Sequence, residues 1–264
     1  MQIPSQVTPI RFKGRKPADR PMLFLDDVTE LTKTNQLRSG HINAAQLILK
    51  LHHPDIGGLF CCTMGSLLQF PQAEGDKWMQ IVHNGSNHWL LVAKGFSQPD
   101  HVLIYDSMPG ISWNNEHVLS CMSSLLKSPE KEMTYVVKNC QRQNNGYDCG
   151  VFAIAYATSL ANGEDPATRL YDPKKLRNHL VECMKAGKLS LFPSSLGRSK
   201  RSREVVEGVE LHCVCRRTGY ELPSDEWRFV GCDGEDCDYW RHRMCVEDYS
   251  GNDGDEWLCS NCKK

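Results

Sequence analysis

The sequence predicts an α+β domain followed by a small cysteine-rich domain. Between about residues 22 and 193, stretches with the apolar spacing of helices alternate with short apolar runs bounded by Asn, Gly or Asp, a pattern typical of mixed helices and strands. Beyond them, seven of the thirteen cysteines fall between Cys213 and Cys262. A chain of 264 residues can hold two domains of these unequal sizes.

The individual elements of the first domain follow from local patterns. Seven of the ten residues from 42 to 51 are apolar, which indicates a buried helix. Two more helices are predicted, one over 150–160 before Asn162-Gly163 and one over 173–184, where Asp172 precedes a proline at the first helical position. Short apolar runs predict four strands, at 79–82, 89–92, 102–105 and 133–137.

Composition divides the chain into four parts. Residues 1–21 are rich in Pro, Lys and Arg and are expected to be extended or disordered. Residues 22–193 form the first domain, 194–207 a polar linker and 208–264 the cysteine-rich domain. The basic residues of the linker fit either a solvated connector or a nuclear-import patch; they are Arg198, Lys200, Arg201 and Arg203.

The composition argues against a membrane or secreted protein. No run of about 18 apolar residues occurs, and residues 1–21 lack the apolar stretch of a secretory signal. We therefore expect an intracellular chain with no membrane partner. Its cysteines are then expected to stay reduced, which points to metal rather than to disulfides.

The C-terminal cysteines and one histidine have the spacing of zinc ligands. Eight ligands suffice for two tetrahedral Zn²⁺ sites without an open position, and such closed, sulfur-rich coordination is structural. A domain of about 57 residues buries too little surface to fold unaided, so zinc removal is expected to unfold it and to spare the first domain. The predicted ligands are Cys213, Cys215, Cys232, Cys237, His242, Cys245, Cys259 and Cys262.

This ligand order, with Trp257 two residues before the last cysteine pair, resembles that of PHD fingers. A RING finger is the nearest alternative, but RING fingers usually open with Cys-x-x-Cys and lack that tryptophan. The resemblance implies a cross-brace of two interleaved sites, one formed by Cys213, Cys215, His242 and Cys245 and the other by Cys232, Cys237, Cys259 and Cys262.

PHD fingers commonly bind histone tails, so the resemblance implies a histone-tail peptide as a partner. Those that read methyl-lysine hold the cation between aromatic rings. The matching positions hold Phe229 and Trp240, with Tyr220 as a third wall, although the first two could instead only pack the small core. Residues 208–264 contain thirteen acidic and seven basic residues, which favours a basic peptide over nucleic acid.

A second group of residues has the chemistry of a cysteine nucleophile. Cys149 lies at the start of the helix predicted over 150–160, where the positive end of the helix dipole favours a thiolate. His88 precedes one predicted strand and Asp106 follows another, so antiparallel pairing would bring a base and an orienting carboxylate together. Gln143, six residues before Cys149, could donate to an oxyanion. Each of these residues alone also has an ordinary structural interpretation.

Together these residues resemble the active site of the SUMO- and Nedd8-deconjugating (Ulp-type) cysteine proteases, which have a papain-like core with a mixed, largely antiparallel sheet. The resemblance spans about residues 36–193 and rests on His88-Trp89, Asp106 and the segment from Gln143 to Gly150. It implies that Cys149 is the nucleophile, His88 the base, Asp106 the orienting group and Gln143 the oxyanion donor, without a catalytic cofactor.

The same resemblance implies how the substrate is bound. In the family, two tryptophans sandwich the Gly-Gly tail of a ubiquitin-like protein; one of these positions is Trp89 here, and the other is occupied by Gln36. The order of a protease followed by a PHD finger resembles that of proteins carried by mobile elements in invertebrates.

We therefore expect a nuclear peptidase or isopeptidase that cleaves after the C-terminal glycine of a ubiquitin-like protein and is directed to chromatin by its finger. The alternative is a histone-tail reader whose protease-like domain is an inert scaffold. The complete set of four catalytic residues favours the enzyme, and Gln36 slightly favours the alternative. Neither the ubiquitin-like protein that is cut nor the histone mark that is read follows from the sequence.

Overall fold

A computed structural model provides the structure of the protein. It describes residues 25–68, 70–110, 113–197, 204–218, 228–246, 249 and 254–263. The predicted extended segment 1–21, the basic linker residues 198–203 and Tyr220 lie outside the described residues. Within the described part of the chain, no helix is both long and apolar enough to span a membrane.

Five helices and ten strands make up the described regular structure. The helices are α1 Leu25–Leu31, α2 Ser39–His52, α3 Glu116–Leu126, α4 Cys149–Ala161 and α5 Leu176–Ala186. The strands are β1 Gly57–Gly58, β2 Trp78–His83, β3 Trp89–Lys94, β4 Val102–Tyr105, β5 Glu132–Val137, β6 Arg169–Tyr171, β7 Ser194–Leu196, β8 Val205–Glu210, β9 Phe229–Gly231 and β10 Trp240–His242.

A six-stranded mixed sheet forms the centre of the molecule, in the order β1-β2-β3-β4-β5-β8. The pairs β2–β3, β3–β4 and β5–β8 are antiparallel, and the pairs β1–β2 and β4–β5 are parallel. The predicted α+β class and the four predicted strands are confirmed, because β2, β3, β4 and β5 cover all four of them.

Alternate residues of the central strands pack into two separate cores. Leu91 and Tyr105 face the core formed with α2, α4 and α5, whereas Leu90 and Ile104 face the core formed with α3. This alternation is the period-two pattern of a sheet covered on both faces. The sheet is therefore buried between two helical layers, and its strand ends can hold side chains in fixed positions.

Helix α4 is the central helix of the first core. Twelve of its thirteen residues are buried, which agrees with its almost uninterrupted apolar sequence. A Cβ at Gly150 would approach the Leu37 side chain to 3.0 Å, so the first turn of α4 packs directly against the segment that precedes α2. This packing fixes the start of α4, where Cys149 lies.

The start of α5 differs from the prediction. Residues 173–175 form a turn, and the helix begins at Leu176. The Asp172 side chain accepts a hydrogen bond from the Lys174 amide, and the Asp172 backbone carbonyl accepts one from the Lys175 amide. Asp172 and Pro173 therefore start a separate turn rather than the helix itself.

The predicted linker also differs from the structure at both of its ends. Residues Ser194–Leu196 form β7, which pairs with β6, and Val205–Glu210 form β8, which pairs with β5 over six residues. The backbone of β8 thus completes the edge of the central sheet, although its side chains are mostly exposed. The boundary expected near residue 208 falls inside a strand of the first domain's sheet.

Residues 211–263, which we call the cysteine-rich module, follow β8 directly. Leu211 is fully buried in the α3 core and its amide donates to the Lys131 carbonyl at 2.6 Å. Seven residues later, Thr218 bonds to α3 through its hydroxyl, 2.6 Å from Ser120 Oγ, and through its amide, 3.2 Å from Ser123 Oγ. The module is therefore attached to the first domain by packing and hydrogen bonds.

Candidate active site

The loop between β2 and β3 holds His88 in place. The side chain of Asn84 accepts hydrogen bonds from the amides of Ser86, Asn87 and His88 at 2.9–3.0 Å. Gly85 supplies the positive φ of 83° that the turn needs, which glycine adopts without steric cost. These hydrogen bonds therefore restrict the backbone of His88, which lies immediately before β3.

Asp106 follows β4 at the same edge of the sheet. Leu91 of β3 pairs with Tyr105 of β4 in antiparallel register, which brings the start of one strand beside the end of the other. The structure places His88 Nε2 at 2.7 Å from Asp106 Oδ1, and both side chains are almost fully buried. The antiparallel pairing that the sequence prediction required as a condition is therefore present.

Further donors fix the carboxylate of Asp106. Its Oδ1 also accepts the Met108 amide at 2.8 Å, and its Oδ2 accepts the indole N–H of Trp113 at 3.1 Å. These contacts hold the carboxylate oriented toward His88. The sequence did not single out Trp113, because it lies seven residues beyond Asp106 in a segment without a regular pattern.

His88 is the group whose acidity the site changes most clearly. Burial by itself lowers the pKa of His88, but hydrogen bonds and negative charge from Asp106 and Cys149 outweigh it and raise the pKa to about 9. The imidazolium form is thus favoured at neutral pH. With Nε2 bonded to Asp106, Nδ1 is the ring nitrogen available to the Cys149 thiol.

The loop that precedes Cys149 is held by its own side chains. Asn145 Oδ1 accepts the amides of Tyr147 and Asp148, both at 3.0 Å. Gln143 accepts the Ser107 hydroxyl at 2.6 Å and donates one amide hydrogen to the Asn145 carbonyl, also at 2.6 Å. A side-chain amide carries two hydrogens, so Gln143 keeps one for an oxyanion.

A cavity of about 340 Å³ adjoins these groups. Its lining is rich in uncharged amides, from Asn84, Asn87, Asn114, Asn115, Gln36 and Gln143, and it also includes His88, Asp106 and Gly146. Cys149 itself is 1% exposed. His88, Asp106 and Gln143 thus line one polar cavity, and the buried Cys149 thiol interacts with His88. In this way the structure brings together the four residues that the sequence singled out for catalysis.

Trp89, the predicted substrate-binding residue of this site, and Gln36, which stands where the family has its second tryptophan, both have clear partners. Gln36 lies across the cavity, and its Nε2 donates to the carbonyls of Asn87 and Gly146, both at 3.0 Å. Trp89 is 6% exposed, and its indole N–H donates to the Leu37 carbonyl at 2.9 Å. Gln36 therefore bridges the His88 loop and the Cys149 loop, and Trp89 supports the wall beside them.

In the cysteine-rich module, the eight predicted ligands form two clusters of four. The ligand atoms of each cluster lie within 4.8 Å of one another. Cys215 Sγ is 3.3 Å from His242 Nδ1 in one cluster, and Cys237 Sγ is 3.9 Å from Cys259 Sγ in the other. These separations suit ligands of one tetrahedral Zn²⁺, with metal–ligand bonds of about 2.0–2.3 Å. The members are Cys213, Cys215, His242 and Cys245, and Cys232, Cys237, Cys259 and Cys262.

The surroundings of the clusters also fit a cation held by thiolates. The His242 backbone amide donates to Cys213 Sγ, and the backbone amides of Gly234 and Cys259 donate to Cys232 Sγ. These distances are 3.2–3.4 Å. His242 Nε2 lies 3.3 Å from the Thr218 carbonyl, which directs Nδ1 into the first cluster. These contacts are of the kind that orient the ligands of a structural metal site.

The predicted aromatic cage residues lie on the β9–β10 ribbon. The Phe229 ring stacks on His242 at a centroid distance of 4.5 Å, which covers one face of Phe229. Trp240 is 45% exposed and its ring lies over Gly231. Phe229 thus supports the first cluster, while Trp240 keeps accessible surface.

Part of this chain is similar to a known protein family. Residues 74–185 match the model of the Ulp1 protease family, C-terminal catalytic domain. No curated protein sequence matches the chain.

The fold of this chain is similar to that of solved SUMO protease structures. A structure of the SUMO protease Ulp1 with its catalytic cysteine oxidised to a sulfenic acid is 15% identical, with a TM-score of 0.51, and covers 67% of this chain and 88% of its own. A sulfinic acid form has 14% identity, a TM-score of 0.50 and coverages of 68% and 90%. The Ulp1-like SUMO protease catalytic domain of Chaetomium thermophilum is 22% identical, with a TM-score of 0.47 and coverages of 69% and 92%. The first two show that the chain shares the fold of such domains.

Proposed function

Because residues 74–185 match the model of the Ulp1 protease family catalytic domain, we propose that this chain is a cysteine protease that cleaves after the C-terminal glycine of a ubiquitin-like protein, with Cys149 as its nucleophile. The observation that carries the proposal is the buried His88–Asp106 pair beside Cys149, inside the part of the chain that matches the family. Similar structures are described as SUMO proteases, so SUMO is the first substrate to test.

The contacts of the site support a conventional thiol mechanism. The favoured imidazolium of His88 pairs with a thiolate at Cys149, which attacks the carbonyl carbon of the scissile bond. The free hydrogen of the Gln143 amide and the Cys149 backbone N–H stabilise the oxyanion. His88 then protonates the leaving amine, and water hydrolyses the thioester. If the bond is an isopeptide, the leaving amine belongs to a lysine.

Gln36 and Trp89 give the substrate channel its shape in this proposal. Trp89 supplies one wall for a glycine tail, and Gln36 takes the place of the second aromatic wall. The Gln36 amide already bridges two backbone carbonyls of the cavity. Both amide hydrogens are thereby used, so a peptide tail that enters there can instead donate its own backbone N–H groups to the Gln36 side-chain oxygen. Extended backbone rather than a bulky side chain is the expected occupant.

The test is covalent labelling by ubiquitin-like proteins that carry an electrophile at the C-terminal glycine. We expect one member of a panel of SUMO, Nedd8 and ubiquitin probes to form an adduct with the native chain. Cys149→Ala should abolish the adduct, since the thiolate is the attacking atom. The matched control is Cys61→Ala, because Cys61 is an exposed free cysteine outside the site.

Two outcomes would contradict the proposal. An adduct that persists in Cys149→Ala would mean that another thiol is the nucleophile. A folded protein that reacts with no probe would mean that the peptide cut is not a ubiquitin-like tail. The inert scaffold is the weaker alternative, since the family match coincides with complete catalytic contacts.

We propose further that the cysteine-rich module is a PHD finger that binds two structural Zn²⁺ ions and a histone tail, which would place the enzyme at chromatin in the nucleus. The paired clusters support the metal sites. An acidic surface supports a basic peptide: a cavity beside β9 is lined by Asp233, Asp255 and Glu256 together with Phe229 and Tyr249. Opposite charge attracts such a peptide, and nucleic acid is not expected to bind.

Peptide titration tests this second proposal. We expect the zinc-loaded chain to bind a fluorescent peptide of a histone H3 N-terminus, and Trp240→Ala to weaken binding by roughly tenfold if the exposed ring contacts the peptide. Comparison of unmodified and trimethylated lysine peptides tests the cage, because only a cage prefers the methylated form. Val214→Ala, which also changes an exposed apolar residue of the module, is the control. Equal binding by Trp240→Ala would remove Trp240 from the binding surface.

A further inference from the structure

Arg177 is the most heavily bonded side chain near the nucleophile. It is the second residue of α5, and its side chain is 12% exposed. Its Nε donates to Asp148 Oδ1 at 2.7 Å and its Nη2 to the Tyr147 carbonyl at 3.0 Å. It also donates to the carbonyls of Leu31 and Asn35, at 3.0 and 2.7 Å. One guanidinium therefore joins the Cys149 loop to the segment that carries Gln36.

Asp148 has an unusual role for the residue that precedes a helix. It occupies the N-cap position of α4, where an aspartate normally accepts the free amides of the first turn. Its side chain makes no such cap bond. Instead, Oδ1 is held by Arg177 and Oδ2 accepts Asn145 Nδ2, both at 2.7 Å. The carboxylate is thus turned away from the helix terminus.

This arrangement matters because the same helix terminus serves Cys149. A carboxylate that capped α4 would occupy its first amides and would place a negative charge beside a thiolate. Both effects oppose the thiolate and an oxyanion at the Cys149 amide. The charged groups around the thiol are His88 before β3, Asp106 after β4, Asp148 on its own loop and Arg177 from α5.

We propose that Arg177 is a positioning residue of the protease, which holds Asp148 off the N-terminus of α4 and neutralises its charge, so that the helix terminus stays available to the Cys149 thiolate and to the oxyanion. This inference rests on the proposed role of Cys149 as the nucleophile. Arg177 acts through Asp148, since its side-chain hydrogen bonds go to Asp148 and to the carbonyls of Tyr147, Leu31 and Asn35.

The experiment measures how fast iodoacetamide alkylates Cys149 in the full chain at different pH values, with the Cys149 peptide followed by mass spectrometry. We expect Arg177→Met to slow alkylation at neutral pH by roughly tenfold and to raise the pH midpoint by about one unit, since one unit corresponds to a factor of ten. Arg177→Lys keeps the charge but cannot reproduce the four directed N–H bonds of the guanidinium, so it should slow alkylation less than Arg177→Met does without matching the native rate.

The decisive comparison is the double variant Arg177→Met with Asp148→Asn, which removes both charges and should return the midpoint to the native value. A native-like midpoint in folded Arg177→Met, or no return in the double variant, would overturn the proposal. If Arg177→Met fails to fold, Asp148→Asn alone serves. It leaves the Arg177 charge unopposed and should lower the midpoint, and an unchanged or raised midpoint would refute the inference.

This measurement needs no substrate, so it is independent of which protein the enzyme cuts. A wrong nucleophile would appear as probe labelling that survives Cys149→Ala, whereas a wrong role for Arg177 would appear only in the alkylation profile. The two failures are therefore distinguishable.

Discussion

At the scale of single residues, the hydrogen bonds of Asp106 determine which form of His88 the protein favours. The carboxylate is held by Met108 and Trp113 and bonds to His88 Nε2 at 2.7 Å. A histidine whose pKa is raised is stabilised in its protonated form. The protonated His88 therefore contributes fully to folding stability below pH 6.5, the ordinary pKa of histidine. This contribution is lost as the pH rises through about 9, the pKa of His88 in the folded protein.

Activity should show the same upper limit. We expect the rate of peptide cleavage to fall as the pH rises above about 9, because His88 can no longer protonate the leaving amine. Asp106→Asn removes the stabilising charge. The pH at which the rate falls should therefore move from about 9 toward 6.5, and the rate near neutral pH should drop by about 10²-fold. A pH profile of cleavage of the substrate identified by labelling checks both statements.

Trp113→Phe is the matched control for this profile, since it removes one donor to Asp106 and keeps an aromatic ring. It should lower the rate less than Asp106→Asn and move the upper limb in the same direction. An upper limb that stays near 9 in Asp106→Asn would show that Asp106 does not set the acidity of His88.

The residues that could be predicted from the sequence are those with a local signal. Cys149, His88 and Asp106 each stand at the end of a strongly patterned helix or strand, so their spacing could be read directly. Arg177 and Trp113 could not be predicted in the same way. Their importance comes from partners that are 29 and 7 residues away, respectively, at positions that no periodicity marks.

At the scale of secondary structure, the same difference separates the central strands from the edge strand. Strands β3 and β4 are buried on both faces, so their continuous apolar runs predicted them well. Strand β8 was not predicted, because its first four residues are all exposed and its sequence contains two glutamates and a glycine. Its pairing with β5 spans about seventy residues of sequence and has no local signature.

Helix α3 was missed for a related reason. Its N-cap is Asn115, which accepts the Val118 amide at 2.9 Å, but three serines interrupt its apolar residues. Those serines have a structural use, since Ser120 and Ser123 bond to Thr218 of the cysteine-rich module. A helix face that looks too polar for a core can therefore indicate a docking face for another part of the chain.

At the scale of the whole molecule, the two parts of the chain are physically joined. Thr218 bonds to α3 on one side, and its carbonyl lies 3.3 Å from His242 Nε2 in the first cluster on the other. Helix α3 begins three residues after Trp113, which holds Asp106. A short path of hydrogen bonds and adjoining chain thus leads from the first cluster to Asp106.

Metal removal should therefore reach beyond the cysteine-rich module, contrary to the expectation that the first domain is spared. We expect chelation of zinc, or Cys213→Ser in the first cluster, to speed hydrogen exchange in α3 by roughly fivefold, as the loss of one hydrogen bond worth about 1 kcal/mol implies. Hydrogen exchange with mass spectrometry over residues 116–126 is the measurement.

Cys232→Ser is the control, because it disrupts the second cluster and leaves the ligands of the first intact. It should affect α3 less than Cys213→Ser. Equal protection of α3 from hydrogen exchange with and without metal would show that the folding of the module does not affect the stability of α3.

The pairing of β8 with β5 has a consequence for synthesis on the ribosome. The central sheet is completed by a strand that begins more than fifty positions after Cys149, so the emerging chain cannot close its sheet edge until residue 210 has left the exit tunnel. Domains generally fold as units as they emerge. Strand β5 therefore has an unpaired edge while the intervening residues are translated. The time during which it can pair with a strand of another nascent chain depends on the number of residues between β5 and β8.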